Sequence, residues 1–300
     1  MGNTFPTIKL NDGTDFPVMG FGVAGLNKGE ILINAVNQTL EEGYRFFDTA
    51  PFYGNEMEIG EALRGSGYKR EDYFLSGKLP NDCHAYNDAI NAFHKTRELM
   101  GMDYLDMYLI HHPMPMYGKY LEAWKALEDL HEQGYIRVIG LSNFKESHID
   151  NVLAHCNIAP ATNELECNPY FTIEGLRRHC QEKGIRVITW FPLGGPLNPP
   201  PPIPPRPENF IQMLKDETLN AIGEKYGKTS AQIALRWAVD SGMTPVPKSG
   251  NPKRIHENAD IFDFELTAED LARIDALNMD RRLGPDPEYY DELSPVAMDV

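Results

Sequence analysis

Three apolar runs of this sequence end in ionisable residues, and a tyrosine follows the first of them. Asp48 ends the run YRFFD with Tyr53 just beyond it, Lys78 ends YFLSGK, and His111 ends LDMYLIH. A phenol is a weak acid in water, with a pKa of about 10, but a nearby ammonium favours the phenolate. A carboxylate in turn holds the ammonium in place. If the ends of these runs meet, the residues form a set for proton transfer.

Elements that bring distant parts of the chain together must position these residues. Short apolar runs alternate with amphipathic stretches, and the runs are Val18–Gly22, Tyr44–Asp48, Tyr73–Lys78, Leu105–His111, Ile136–Ser142, Thr162–Cys167, Arg186–Phe191 and Thr244–Pro247. Helical stretches are closed before the next run by Gly43, Gly101, Gly134, Gly184 and Gly242. This alternation over 300 residues indicates either a (β/α)8 barrel or a doubly wound open sheet.

The glycines between Gly20 and Gly25 bear on the choice between these two architectures. They spell Gly-x-Gly-x-x-Gly, the pattern of a dinucleotide-binding turn. However, no helix starts directly after them, and no acidic residue closes a matching second strand about 20 residues further on. We therefore interpret them as a strand-to-loop turn. The sequence predicts an α/β fold, a (β/α)8 TIM barrel whose chemistry lies at the carboxyl ends of the strands.

Several segments fall outside the alternation. Asn11-Asp12-Gly13 predicts a β-hairpin within residues 1–17 that plugs one end of the barrel. Residues 194–210 form a proline-rich loop after the seventh strand, either a disordered spacer or an ordered loop over a site. An extra C-terminal helix is predicted at Ala268–Leu277, followed by a loop-like tail at 281–300. Residues 1–300 are expected to form one barrel domain.

Composition and charge argue against several classes of partner. The chain has 28 basic and 44 acidic residues, for a formal net charge of −16, which disfavours binding to nucleic acid or to an anionic membrane surface. No apolar run approaches the ~20 residues of a membrane span, and the N-terminus lacks the apolar region of a signal peptide. The cysteines form no Cys-x-x-Cys pair, so we expect reduced thiols in a cytoplasmic protein.

Co-linear motifs suggest a known family. They are Phe47-Asp48-Thr49-Ala50, Tyr53-Gly54-Asn55-Glu56, Gly140-Leu141-Ser142-Asn143-Phe144, and Pro247-Lys248-Ser249 with Arg254 and Glu257-Asn258. With these motifs the chain resembles the aldo-keto reductases from about Ile8 to about Arg281. The resemblance implies the barrel fold and the use of NADPH without a Rossmann domain. It also implies reduction of aldehydes or ketones to alcohols by hydride transfer from C4 of the nicotinamide.

The resemblance implies a role for each member of the proton-transfer set. Tyr53 matches the general acid that protonates the substrate carbonyl oxygen, and Lys78 matches the lysine that lowers the pKa of that tyrosine. Asp48 matches the carboxylate paired with the lysine, and His111 matches the histidine that orients the carbonyl. Together they would polarise and protonate the carbonyl group.

The resemblance further implies a binding site for NADPH and NADP+. Ser142 and Asn143 match residues that hold the nicotinamide carboxamide, and Trp190 falls where a tyrosine commonly stacks on the nicotinamide ring. The residues that match the rest of the cofactor site are Lys248, Ser249 and Arg254 at the 2′-phosphate and Glu257 and Asn258 near the adenine. Two cationic side chains beside a hydroxyl group suit the dianionic 2′-phosphate. Because NADPH carries this phosphate and NADH does not, the site favours NADPH.

Some residues depart from the family pattern. Glu164 stands where the family usually has a glutamine against the carboxamide, and a carboxylate there accepts hydrogen bonds but cannot donate them. Ala24, Pro80 and His112 stand at substrate-pocket positions that are often tryptophan. With Phe52 as a remaining wall, we expect a wider and more polar pocket for a small carbonyl substrate.

Two other functions compete with this one. A barrel metal hydrolase would use His111, His112 and nearby carboxylates, but the sequence offers no clean set of three ligands, so no metal is predicted. A non-catalytic nicotinamide-binding regulatory subunit would share the fold, but the intact proton-transfer set and the acidic surface count against it. We therefore expect an NADP-dependent oxidoreductase that acts as a monomer.

Overall fold

The computed structural model describes residues 4–26, 29–196 and 210–290. The strands are β1 (Thr7–Lys9), β2 (Asp15–Pro17), β3 (Phe21–Gly22), β4 (Phe46–Asp48), β5 (Phe74–Leu79), β6 (Leu105–Ile110), β7 (Ile136–Ser142), β8 (Thr162–Glu166), β9 (Arg186–Trp190) and β10 (Met243–Pro245). The helices are α1 (Glu30–Glu41), α2 (Glu56–Gly65), α3 (Tyr86–Met100), α4 (Tyr120–Glu132), α5 (Glu146–His155), α6 (Glu174–Glu182), α7 (Glu217–Tyr226), α8 (Ser230–Asp240), α9 (Pro252–Ala259) and α10 (Ala268–Asp275).

Strands β3 to β10 form one parallel sheet in which neighbours in sequence are neighbours in space. The two ends of this sheet meet between β3 and β10. There Gly20 N donates to Pro245 O at 3.0 Å, and Gly22 N donates to Pro247 O at 3.1 Å. Helices separate the strands along the chain, so the predicted (β/α)8 barrel is confirmed.

Gly20 and Gly22 lie at the seam between β3 and β10, where the barrel closes. Close packing around them accounts for both glycines without a phosphate-binding site. A Cβ atom on Gly20 would overlap the ring of Phe46, and one on Gly22 would lie 3.1 Å from the carbonyl oxygen of Val246. A larger residue at position 20 would displace the ring of Phe46, and one at position 22 would press on the chain beyond β10. The interpretation of these glycines as a strand-to-loop turn agrees with this geometry.

The five glycines predicted to end helical stretches all have left-handed backbone. Their φ angles are 99°, 62°, 80°, 70° and 77° in chain order, a region that residues with a Cβ atom seldom occupy. Gly101, for example, follows α3, and its N–H group donates to the carbonyls of Arg97 and Glu98. Each of these helical stretches therefore ends before the next strand begins. Within the described ranges, no helix has the length and apolar character needed to cross a bilayer.

Strands β1 and β2 form the predicted N-terminal hairpin, with Ile8 opposite Phe16. The buried ring of Phe16 packs on Phe46 and Phe74, with centroid distances of 4.9 Å and 5.0 Å. The hairpin is therefore anchored on barrel strands, while its function as a plug stays a prediction.

The remaining predictions about segments have mixed outcomes. The extra C-terminal helix is present as α10, which ends two residues earlier than predicted, at Asp275. Most of the proline-rich loop, residues 197–209, and the last ten residues of the tail, 291–300, lie outside the described residues. That the whole chain forms one domain stays a prediction. The four cysteines are free thiols, as expected.

Candidate active site

The barrel brings the ionisable ends of three strands to one mouth. Asp48 is the last residue of β4, Lys78 is the penultimate residue of β5, and His111 directly follows β6. Because these strands are parallel and adjacent, their carboxyl ends lie at the same end of the barrel. The sequence-predicted residues are therefore neighbours in the fold.

Lys78 lies at the centre of a buried charge cluster. Its Nζ donates to Asp48 Oδ1 at 2.5 Å and lies 3.2 Å from Glu164 Oε2. Burial alone would lower the pKa of Lys78, but attraction to Asp48 and Glu164 raises it above its ordinary value. Lys78 is therefore a permanent cation with two carboxyl groups around it, of which sequence reasoning predicted only Asp48.

Tyr53 is held over this cluster by a short 3₁₀ turn, Pro51–Tyr53. Gly54 ends the turn with a φ of 63°, a conformation that suits glycine. Asn55 then fixes the turn, because its Nδ2 donates to Val23 O at 3.0 Å and its Oδ1 accepts from Thr49 Oγ1 at 3.2 Å. Gly54 and Asn55, which follow Tyr53 in the sequence motif, therefore hold the turn that carries Tyr53.

The surroundings of Tyr53 act on its pKa in opposite directions. Lys78, whose Nζ lies 5.7 Å from the centroid of the Tyr53 ring, lowers the pKa as expected. Burial of the phenol group raises the pKa more strongly, and the carboxyl groups of Asp48 and Glu164 raise it further. The net pKa is above that of a free phenol because burial outweighs the lowering by Lys78, and the role of Lys78 in tuning Tyr53 stays a prediction. Tyr53 keeps its proton at neutral pH.

A group of neutral imidazoles forms the side of the mouth next to Tyr53. The His111 ring stands perpendicular to the Tyr53 ring, with centroids 6.3 Å apart, and the His112 ring lies 5.1 Å from His111. Burial lowers the pKa of His111 well below its usual range and that of His112 to about 3. Among the described residues, no three His, Cys, Asp or Glu side chains are grouped so as to hold a metal ion.

Sequence reasoning missed His84, which lies in the loop after β5. Burial lowers its pKa to about 4, and neither ring nitrogen has a hydrogen-bond partner among the described residues. Its charge would oppose protonation of both His111 and His112. The one available signal was its position just beyond the carboxyl end of a strand.

Ser142 and Asn143 lie at the end of β7, where the resemblance implied contact with the nicotinamide. Asn143 has left-handed backbone, with a φ of 62°, which asparagine tolerates. Its Nδ2 donates to His111 O at 2.9 Å and to Ser142 Oγ at 3.0 Å, and its Oδ1 accepts from Trp190 Nε1 at 3.1 Å. The second lone pair of Oδ1 stays available for a ligand amide. The indole of Trp190 is partly exposed beside it.

Cations that suit a phosphate lie near the start of α9. Asn251 caps the helix, accepting from the N–H groups of Lys253 and Arg254, and Ser249 Oγ accepts from Asn251 N at 3.1 Å. In the part of the chain that the structure describes, neither Lys248 nor Arg254 makes an ion pair with a carboxylate. Two unpaired cations beside a helix N-terminus, in a chain of net charge −16, fit the dianionic 2′-phosphate of NADPH.

The residues expected near the adenine have other contacts as well. Glu257 Oε1 accepts from Thr229 Oγ1 at 2.7 Å, which ties α9 to the start of α8. Asn258 is buried in the same helix. Their assignment to the adenine stays a prediction.

The predicted pocket residues lie around the same mouth. Ala24 follows β3, Pro80 directly follows β5, and Phe52 precedes Tyr53 in the 3₁₀ turn with 41% of its surface exposed. His112 lies between His111 and Tyr290, and its ring centroid is 4.7 Å from that of Tyr290. An imidazole at this position gives the mouth a polar wall.

Glu166, a residue that the sequence indicates is a structural partner, holds the segment after α10 close to this mouth. Its carboxylate oxygens accept from Leu283 N at 2.7 Å and from Gly284 N at 2.9 Å. Gly284 in turn packs against the indole of Trp190, because a Cβ atom there would overlap the ring. The C-terminal segment thus forms part of the surroundings of the mouth.

The sequence was compared with known protein families and with individual relatives. A model of the aldo/keto reductase family matches residues 18–279. The chain belongs to the aldo/keto reductase family. A glyoxal reductase of Bacillus subtilis is 40% identical over 282 residues, covering 94% of this chain and 96% of the relative. A methylglyoxal reductase of Escherichia coli is 36% identical over 283 residues, covering 94% and 97%.

A solved aldo/keto reductase supports the same assignment. The structure of the Bombyx mori aldo-keto reductase in complex with NADP is 35% identical to this chain and has a TM-score of 0.86. The alignment covers 97% of this chain and 98% of that structure. The resemblance inferred from the motifs is confirmed, and this aldo/keto reductase is an oxidoreductase.

Proposed function

We propose that this aldo/keto reductase reduces small aldehydes and ketones to alcohols with NADPH, using Tyr53 as the general acid. The observation that carries the proposal is the buried Asp48–Lys78 ion pair beneath Tyr53, with a neutral His111 beside it. A buried cation next to a phenol stabilises the negative charge that forms when the phenol gives up its proton.

The chain's residues divide the reaction between them. His111, which is neutral, donates a hydrogen bond to the substrate carbonyl oxygen and orients it. The carbonyl carbon accepts a hydride, which NADPH supplies when bound. The O–H bond of Tyr53 breaks and a new O–H bond forms on the carbonyl oxygen, which completes the alcohol. Lys78 stabilises the tyrosinate that remains, and Asp48 holds Lys78 in place.

Cofactor binding is assigned to the residues already described. Lys248, Ser249 and Arg254 would hold the 2′-phosphate, and Ser142 and Asn143 would hold the carboxamide beside Trp190. The known NADP complex of a relative with the same fold supports this assignment. Glyoxal and methylglyoxal, after which two relatives are named, are small and polar. They suit a mouth with His112 in its wall and are the first substrates to test.

The test is a steady-state assay of NADPH oxidation with a panel of aldehydes and ketones. We expect Tyr53→Phe to reduce kcat at least ~10³-fold, because the general acid is lost, while the Kd of NADPH stays within about threefold of wild type. Tyr289→Phe, a change at a residue that is 78% exposed, is the matched control. Full turnover by Tyr53→Phe would remove Tyr53 from its role, and a wild type that binds NADPH but reduces no carbonyl would favour the regulatory subunit.

A further inference from the structure

Lys78 is shared between two carboxyl groups, although one ammonium balances only one negative charge. Asp48, Lys78 and Glu164 expose 2%, 1% and 2% of their surfaces. Water therefore screens the cluster poorly, and two ionised carboxylates would leave an uncompensated charge buried in the barrel. A proton on one of the two carboxyl groups removes that charge.

The contacts indicate which carboxyl group holds the proton. Both oxygens of Asp48 accept hydrogen bonds from Lys78 Nζ. Glu164 Oε2 lies farther from Lys78 Nζ, at 3.2 Å, and unlike the oxygens of Asp48 it makes no well-formed hydrogen bond with the ammonium. The ammonium therefore stabilises the negative charge of Asp48 better than that of Glu164, and Glu164 is the group that stays neutral.

Burial and the neighbouring carboxylate favour the neutral form of Glu164, and Lys78 opposes it. Burial and repulsion from Asp48 raise the pKa of Glu164 to about 8, against the opposing effect of Lys78. The other titratable neighbours are Tyr53, which keeps its proton, and His111 beyond it, which is neutral. The residues in register with Glu164 on the neighbouring strands are uncharged, Ser142 on β7 and Ile188 on β9.

We propose that Glu164 is a positioning residue that holds a proton in the active form of the site, and that loss of this proton slows carbonyl reduction. The proposal rests on the proposed role of Tyr53. When Tyr53 donates its proton, a tyrosinate forms beside Lys78 and Asp48. If Glu164 is also ionised, three anions compete for one ammonium, and the tyrosinate is less stable. The proton on Glu164 stays there throughout turnover.

The proposal fixes the sign of the pH dependence. Glu164 is neutral below its pKa and ionised above it. The rate of carbonyl reduction is therefore high below this pKa and decreases as the pH rises through it. Each unit above it lowers the protonated fraction about tenfold. A site with only Asp48 beside Lys78 has no such ionisation.

The test compares wild type with Glu164→Gln, which keeps the shape of the side chain but cannot ionise. We expect kcat/KM of the wild type to fall between about pH 7 and about pH 10, while Glu164→Gln loses this fall. Glu128→Gln is the matched control, because Glu128 is also buried but accepts hydrogen bonds from Asn157 N and Ile158 N away from the mouth. It should keep the wild-type profile.

An infrared measurement on the protein without cofactor gives an independent readout. A protonated carboxyl group has a C=O stretch distinct from that of a carboxylate. Glu56, whose pKa burial raises to about 7, contributes to this band in every variant. We expect an additional component at neutral pH in wild type and in Glu128→Gln, disappearing with the same midpoint as the kinetic fall, and we expect Glu164→Gln to lack this component. If Glu164→Gln does not fold, coincidence of the two wild-type midpoints still tests the proposal.

The outcomes separate the two proposals. Reduction by the wild type without a band component that Glu164→Gln removes, or with a pH profile that Glu164→Gln leaves unchanged, would overturn the role of Glu164 alone. A wild type that shows the band but reduces no carbonyl would overturn the proposed function and, with it, the effect of Glu164 on turnover.

Discussion

Replacing Lys78 by methionine removes the cation on which the proposed mechanism depends. Lys78 Nζ lies 5.7 Å from the centroid of the Tyr53 ring. If the ring centroid is taken as the position of the tyrosinate charge, an effective dielectric constant of about 20 gives an attraction of about 3 kcal/mol between the two charges. If this attraction is fully developed in the transition state, its loss slows the chemical step about 100-fold.

The same change also affects stability, and the two effects must be separated. Without Lys78, Asp48 is left as a buried carboxylate with no counterion, which costs about 3–5 kcal/mol when one partner of a buried pair is removed. The double variant Asp48→Asn with Lys78→Met removes both charges, so it should recover most of this stability. It should recover none of the activity, because the tyrosinate still lacks its cation.

The assay combines kcat for a reduced carbonyl, the Kd of NADPH from quenching of Trp fluorescence, and the free energy of unfolding in urea. Lys69→Met, at a side chain that is 76% exposed, is the control for replacing a lysine. A kcat for Lys78→Met within about threefold of wild type, in protein that binds NADPH normally, would refute the electrostatic argument.

Two further predictions concern other parts of the molecule. Lys248→Ala with Arg254→Ala should weaken NADPH binding about 10–100-fold and leave NADH nearly unchanged, because charge-assisted contacts to the 2′-phosphate are lost; equal weakening of both cofactors in a titration would contradict the assignment. Asp106, which pairs with Arg70 at 2.6 Å and Arg137 at 2.7 Å and accepts from Leu75 N at 2.9 Å, should be structural. Asp106→Asn is expected to lower the free energy of unfolding by about 2–4 kcal/mol without changing kcat, and a urea midpoint equal to wild type would show otherwise.

Local sequence pattern was sufficient to predict the barrel because its strands are short apolar runs separated by helix-ending glycines. The predicted and observed bounds of β7 are identical, Ile136–Ser142. The first barrel strand was predicted as Val18–Gly22 but is only Phe21–Gly22. Its observed bounds are the two residues that pair with Phe47 and Asp48 of β4, which lie more than 20 residues further along the chain. Such non-local pairing is not visible in a local pattern.

The candidate site was predictable residue by residue, but its charge balance was not. The motifs placed Asp48, Lys78 and Tyr53 together, and the structure does bring them to one mouth. The contact between Lys78 and Glu164 joins β5 to β8, which are separated in the sheet by β6 and β7. It crosses the barrel, so it depends on how the strands are staggered rather than on any spacing in the sequence.

The raised pKa of Tyr53 changes how its partnership with Lys78 should be understood. A tyrosine that keeps its proton at every working pH is always ready to donate it, so reduction does not need an acidic phenol in the resting site. What the reaction needs is a low cost for the negative charge at the moment the proton leaves. A buried ammonium that is already fixed by Asp48 gives this stabilisation without reorganising, and it acts on the transition state more than on the resting enzyme. In the proposed mechanism, the number of anions that share Lys78 at that moment therefore affects the chemical step, which makes the protonation of Glu164 a property of that step.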